Sequence, residues 1–252
     1  MKISRFYQDD DLEKFFSSGE KLALSAKNHR HAIQVLRLKA EEKLILFNGK
    51  GGEYLAHIHA FDKRNSSVMI ESFDAIDRES PVSITLNLAM IKPDKMDFAI
   101  QKAVELGANT IQPLYSERSI IKIKANRLEK KMDHWQGIIV GACEQSGRTA
   151  LPILKQPASL TDCIENTFED NLSVVMLPNT ANRLSDLKDL DKDHKNPIVS
   201  LYIGPEGGFT DNEEQLLLDK GVHAINFGPR ILRAETAVVS GLTAVQQRWG
   251  DL

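Results

Sequence analysis

The chain has only two cysteines in 252 residues, Cys143 and Cys163, with no CxxC spacing and no histidine pair near either. A disulfide framework and a structural zinc site are thereby disfavoured, leaving buried thiols in a reducing compartment as the expectation. No window approaches the roughly 18 consecutive apolar residues of a membrane helix. The start, Met1 to Tyr7, runs straight into Asp9-Asp10-Asp11 without a signal-peptide stretch, so the expected location is cytoplasmic. A charge excess is missing too. The net charge of −3 neither advertises nor forbids an RNA partner, because a local basic face outweighs the total. Neither a P-loop Gly-Lys-Ser/Thr nor a GxGxxG dinucleotide fingerprint occurs. Repeats and low-complexity tracts are lacking as well. What remains is globular: 42% hydrophobic and 27% charged residues, with length for one large domain or two modest ones.

Residues 1–72 read as β-rich. Leu44-Ile45-Leu46-Phe47 ends at the turn signal Asn48-Gly49-Lys50-Gly51-Gly52, and Glu53 to His59 partly alternates, which predicts a hairpin. Residues 67–72 form another strand candidate. One helix is expected over residues 28–38, with Ile33, Leu36 and Val35 on its apolar face, and a small barrel fits the pattern. The boundary is expected at residues 73–82, with the second domain over 83–252. From there strands (84–91, 110–114, 172–177, 198–203, 222–227) alternate with helices (95–106, 127–143, 211–220, 235–248). Such alternation predicts a parallel sheet covered on both faces, with ligands at the carboxyl ends of strands. Asp94 is the expected N-cap of the first of these helices and Gly107 its stop.

Three strand-end loops carry the chemistry. Gly204-Pro205-Glu206-Gly207-Gly208 lets the backbone approach a ligand closely. It leads to Thr210 or Asp211 as helix caps, and Glu213 and Glu214 in the first turn disfavour phosphate there; a neutral or cationic ligand fits better. Phe227-Gly228-Pro229-Arg230-Ile231-Leu232-Arg233-Ala234-Glu235-Thr236-Ala237 opens the last helix. Its arginines could instead pair with Glu235 or Glu206 on the surface. Leu177-Pro178-Asn179-Thr180-Ala181 is the third loop, an everyday turn by itself. Basic residues cluster twice, at Arg118, Lys122, Lys124, Arg127, Lys130 and Lys131, and at His29, Arg30, Arg37 and Lys39. Either cluster could meet RNA phosphates or be a solvated face.

Together the three loops resemble the cofactor loops of SPOUT methyltransferases. The match narrows to the RsmE family through Arg30 to Leu38, Leu46-Phe47-Asn48-Gly49, Lys92 to Asp97, Gln101 to Gly107 and Glu144-Gln145-Ser146-Gly147-Arg148. The glycine loop and Leu232-Arg233-Ala234-Glu235-Thr236-Ala237 complete it. The likeness spans nearly the whole chain; residues 116–123 and 184–197 are set aside because family members vary there.

The resemblance implies a 16S rRNA uracil(1498)-N(3) methyltransferase. It implies a PUA-like barrel, then an α/β SPOUT domain whose parallel sheet ends in a C-terminal trefoil knot. It further implies S-adenosyl-L-methionine (SAM) as methyl donor, 16S rRNA as partner within the small ribosomal subunit, a homodimer, and no metal. Cofactor-binding residues would be Leu177, Pro178, Gly204, Pro205, Glu206, Gly207 and Gly208 from two loops. The third would add Phe227, Gly228, Ile231, Leu232, Ala234, Thr236 and Ala237. N3 of uracil carries a proton with a pKa well above 7, so a guanidinium near the uracil oxygens would favour the anion. Arg233 is the first candidate, Arg230 the second, and Arg5 could also contribute. Glu206 and Glu235 are candidate bases, or else bond backbone amides or offset the sulfonium. RNA contacts are expected at Arg30, Arg37, Lys122 and Lys124. Gln145, Ser146 and Arg148 are expected at a pocket rim or dimer contact, and His29 and His31 facing RNA or exposed. Three other readings compete: a SPOUT enzyme acting on ribose 2′-oxygens of transfer RNA, a non-catalytic RNA-binding module, and a NAD-binding dehydrogenase, which no dinucleotide fingerprint supports. No cysteine pattern supports a thiol adduct at uracil C5.

Overall fold

A computed structural model describes residues 3–165, 172–190 and 197–252. Part of the segment set aside at 184–197 lies outside them. The chain divides into two compact units, Met1–Glu79 with Cys143–Leu151, and Ser80–Ala142 with Pro152–Leu252. The first unit is therefore discontinuous in sequence, a return that no composition shift signals.

The first unit holds five strands: β1 (Ser4–Tyr7), β2 (Leu22–Ala23), β3 (Lys43–Phe47), β4 (Glu53–Phe61) and β5 (Ser66–Asp74). They lie in the order β1-β3-β4-β5-β2, with β1 parallel to β3 and the other pairs antiparallel. The expected hairpin is β3–β4. Phe6, Leu44, Leu46, Ala56, Ile58 and Val68 build one buried core with Leu12 of helix α1 (Leu12–Ser18). That helix was not expected: it buries a single residue, and its N-cap Asp11, which accepts from the Lys14 amide, sits in the acidic run.

The expected helix at 28–38 starts earlier, as α2 (Ala26–His29) capped by Ser25, and continues as a π-helical turn over Arg30–Val35. The wider turn breaks the 3.6-residue register. Ala32 is buried instead, while Val35 and Leu36, expected on the apolar face, are exposed. His29 is also corrected: it is buried, its Nδ1 3.1 Å from the Ser66 hydroxyl.

The returning segment is fixed by ions. Arg5 pairs with Glu53 and donates to the carbonyls of Gly147 (3.1 Å) and Arg148 (3.0 Å). Arg78 donates to the same carboxylate and to Gly147 O at 2.9 Å. Arg148, expected at a pocket rim, is buried against Glu79. Cys143 is buried too, and burial pushes its thiol up to about 11. In the second unit Cys163 is only half-buried, contrary to expectation.

The second unit is a parallel sheet. Its strands are β6 (Ser83–Ala89), β7 (Thr110–Tyr115), β8 (Ile153–Leu154), β9 (Ala158–Ser159), β10 (Leu172–Met176), β11 (Ile198–Ile203) and β12 (His223–Ile225). The order is β12-β10-β11-β6-β7-β8, with β9 also on β7, and every pair is parallel. β6, β10 and β11 are almost continuously buried, as a sheet covered on both faces requires. Helices α3 (Pro93–Glu105), α4 (Ala125–Ser146), α5 (Leu160–Glu165), α6 (Asp211–Asp219) and α7 (Ala234–Trp249) connect or follow them. α3 begins two residues sooner than expected: Lys92 is its N-cap and Pro93 its first residue, so Asp94 is not the cap.

α7 packs against β11 and α3. The contact is close at Gly241, where a Cβ would lie 2.9 Å from both Leu201 Cδ2 and Met176 Sδ. Gly241→Val therefore overpacks the helix–sheet contact at a cost of about 1–3 kcal/mol. Thermal denaturation should show the midpoint falling by several degrees; an unchanged midpoint would mean that α7 is not seated this closely.

Candidate functional site

Parallel pairing decides where the three loops go. β12, β10 and β11 are neighbours running the same way, so the loops after Ile225, Met176 and Ile203 emerge side by side at one edge. Asn226 ties two of them together. Its Nδ2 donates to Pro178 O at 2.7 Å, its Oδ1 accepts from the Gly228 amide at 2.6 Å, and its own amide donates to Asn182 O at 2.8 Å. The Leu177 amide bonds Ile225 O at 3.0 Å.

The glycine loop is set by its surroundings. A Cβ at Gly204 would meet the Phe209 ring and amide, each at 3.2 Å, so any side chain there crowds the loop where it folds back on Phe209. Thr210 caps α6, and Glu213 completes a capping box while also accepting the Glu117 amide at 2.8 Å. The Glu213 carboxylate is buried and consumed by backbone. Arg118 donates to the carbonyls of Gly207 and Phe209, both at 3.0 Å. Placed with the RNA-facing residues by sequence, it braces this loop instead.

Two adjoining hollows result. One, of about 300 Å³, is lined by Leu177, Pro178 and Asn179, by Ile203 to Phe209, by Ile231, Leu232, Ala234 and Ala237, and by Arg118, Asp211 and Glu214. The other, of about 80 Å³, shares Met176, Leu177, Pro178, Ile231, Leu232 and Ala237 and adds Phe227, Gly228 and Arg230. Of the expected cofactor residues only Thr236 lines neither; it is exposed. Asp211, Glu214, Asn179 and Arg118 are additions. Their signal was chemical type only, since sequence order does not reveal which strands adjoin.

Three carboxylates, Glu206, Asp211 and Glu214, face the larger hollow against one guanidinium that is already occupied by carbonyls. Burial, then the charge of Asp211, raises the Glu214 pKa. Such a lining repels phosphate and suits a ligand with positive charge and apolar surface. Among the described residues no cluster of His, Cys, Asp or Glu could hold a metal ion, and no helix is long and apolar enough to cross a membrane.

The candidate catalytic residues are distributed unevenly. Arg230 borders the smaller hollow and is exposed. Arg233 is exposed at the N-cap of α7. Neither forms the surface ion pair weighed for it: Glu235 pairs with Lys95 at 3.4 Å, and Glu206 accepts the Lys92 amide at 3.1 Å, at the start of α3. Arg5 belongs to the first unit, where burial and the Arg78 charge lower its pKa and its two terminal nitrogens are engaged by Glu53 and by the Gly147 and Arg148 carbonyls. Arg30 and Arg37 are exposed in that unit, and Lys122 and Lys124 are exposed in the second.

Residues 78–246 match the RNA methyltransferase domain family, and residues 24–69 match the RNA methyltransferase PUA domain family. The chain belongs to the first of these families. Within it, the chain is 35% identical over 252 residues to ribosomal RNA small subunit methyltransferase E of Buchnera aphidicola subsp. Schizaphis graminum, covering 100% of this chain and 98% of that relative. A methyltransferase structure from Legionella pneumophila in complex with the bound cofactor SAM covers 100% of both chains at 37% identity, with a TM-score of 0.93. Ribosomal RNA small subunit methyltransferase E of Neisseria gonorrhoeae, bound to S-adenosyl methionine, does so at 36% identity with a TM-score of 0.89. The resemblance to the RsmE family thus holds along the whole chain.

The Asn226 tie is checkable without a ligand. Asn226→Ala frees the Pro178 carbonyl and the Gly228 amide, at a cost of about 1–2 kcal/mol. Amide exchange at Gly228 and Leu177 should accelerate far more than exchange in α4; equal protection in both proteins would remove the tie.

Proposed function

We propose that the chain is a SAM-dependent methyltransferase that methylates N3 of one uracil, position 1498, in 16S rRNA of the small ribosomal subunit. The observation that carries the reading is the convergence of three strand-end loops on a carboxylate-lined, partly apolar hollow. The fit to SAM is chemical. Asp211, Glu214 and Glu206 offset its ammonium and sulfonium charges, Leu177, Ile231, Leu232 and Ala237 suit the adenine, and a Cβ at Gly204 would force the loop open. When bound, SAM supplies an activated methyl group to an in-line acceptor.

The protein's own task is to hold the uracil and manage its N3 proton. An exposed guanidinium beside the hollow, Arg233 first and Arg230 second, stabilises the developing uracilate through its O2 and O4. Glu206, engaged by the Lys92 amide, fixes the glycine loop to the start of α3 and contributes negative charge. Arg5 enters this chemistry only by giving up its carbonyl partners, so it ranks last. Cys143 and Cys163, both pushed to about 11 by burial, are poor thiolates for a C5 adduct.

RNA contacts fall to Lys122, Lys124, Arg30 and Arg37, all exposed. A homodimer, cytoplasmic location and a C-terminal trefoil knot belong to the same proposal. Supporting the knot, the chain leaves edge strand β12 and returns as α7 over β11, inside the sheet rather than beyond it.

Two measurements test this reading. Calorimetry should find SAM binding that Gly204→Val weakens by more than tenfold; no SAM binding by the intact protein would overturn the cofactor assignment. Deleting the gene should remove one 3-methyluridine from 16S rRNA, seen by mass spectrometry of digested RNA and restored by this chain. Ribose methylation in its place would favour the alternative SPOUT activity. In single turnover on small subunits, Arg233→Ala should be slower by about 10²–10³-fold, the loss expected for an oxyanion donor.

A further inference from the structure

Next to the three cofactor loops, the same edge of the sheet continues with the loops after β6 and β7. Between these two loops and α4 lies a cavity of about 770 Å³ that shares no lining residue with the cofactor hollow. Its floor is apolar and buried: Met90, Ile91, Met96 and Trp135. Its rim is cationic, with exposed Lys122, Lys124, Arg127 and Lys130, none in an ion pair among the described residues, and no carboxylate lines it. Lys131 and His134 both bond Asp97, at 3.2 and 2.7 Å. Trp135 adds an indole N–H with no hydrogen-bond partner among the described residues.

The cavity and the hollow share walls through neighbouring residues. Lys92, between Ile91 and Pro93 of the cavity, bonds Glu206 of the hollow. Arg118, four residues before Lys122, braces the glycine loop. The cavity thus adjoins the hollow through the start of α3 and through the residues that lead from Arg118 to Lys122.

We propose that this cavity takes a second, unstacked nucleotide of the RNA beside the methylated one. Its base lies against Met90, Ile91, Met96 and Trp135, and its flanking phosphates rest on Lys122, Lys124, Arg127 and Lys130. A cationic rim over an apolar floor matches a nucleotide's anionic backbone and flat base. The volume suffices for one nucleotide with solvent around it. A peptide partner would have to be strongly acidic to fit the same rim. The inference rests on reading the chain as an rRNA methyltransferase.

The test uses the full-length protein with Trp249→Phe, so that Trp135 is the remaining tryptophan. Hexauridylate should quench its fluorescence. Lys122→Ala/Lys124→Ala/Arg127→Ala should weaken that binding by about tenfold and flatten its salt dependence. SAM affinity should be unchanged, while KM for small subunits rises by a similar factor and kcat stays within about twofold. Quenching and KM untouched by the triple variant would overturn the proposal. A variant that shifts only the sedimentation of the protein would also overturn it, assigning the cavity to a second copy of the chain. Absence of SAM binding and methyl transfer would sink the enzymatic reading separately, and hexauridylate quenching would still decide the cavity.

Discussion

Strand direction is the constraint on which the second unit depends. Because every pair in the seven-stranded sheet is parallel, the carboxyl ends of β12, β10, β11, β6 and β7 meet at one edge. Five loops from distant parts of the chain then lie in a row. None binds anything alone. The glycine loop has its close turn from Gly204, its brace from Arg118 and its anchor from the Lys92 amide, each from a different stretch of sequence. Ridding any one of them of its partner loosens all three.

Electrostatics then divides that edge. Where the loops after β10, β11 and β12 meet, carboxylates dominate; where those after β6 and β7 meet α4, cations do. The two regions are kept apart by pairing within each. Arg118 spends its charge on carbonyls at the acidic end, and Asp97 takes Lys131 and the His134 ring at the basic end. Opposite fields side by side suit a reaction that brings a cationic donor to an anionic polymer.

Much of this was legible in the sequence, and the failures have physical causes. The β3–β4 hairpin, strand β11 and the cap region of α6 were readable because turn glycines, continuous apolar runs and capping residues act locally. Strand order was not, because pairing β12 with β10 is a long-range choice that leaves no local mark. Hence Arg118 was grouped with cations facing RNA, and Asp211 and Glu214 were read as helix-start residues rather than as cavity wall. The π-helical turn at Arg30–Val35 misled in another way, since an apolar pattern counted at 3.6 residues per turn points Val35 and Leu36 inward. Arg5 and Arg148, which sequence reasoning assigned to the surface or the site, turn out to be buried ion-pair partners. A lone arginine in sequence carries no sign of whether a carboxylate awaits it.

The discontinuity of the first unit bears on the order in which the molecule can be made. Its sheet is complete by residue 74, yet the carbonyls of Gly147 and Arg148 that receive the Arg5 guanidinium lie some seventy residues later. During synthesis β1 emerges early with a buried cation that waits for acceptors not yet translated. In the finished fold Glu53 and the two carbonyls just past α4 meet that guanidinium together. The first unit is thus begun at the N-terminus and completed only by residues 143–151, after most of the helix that precedes them in the second unit.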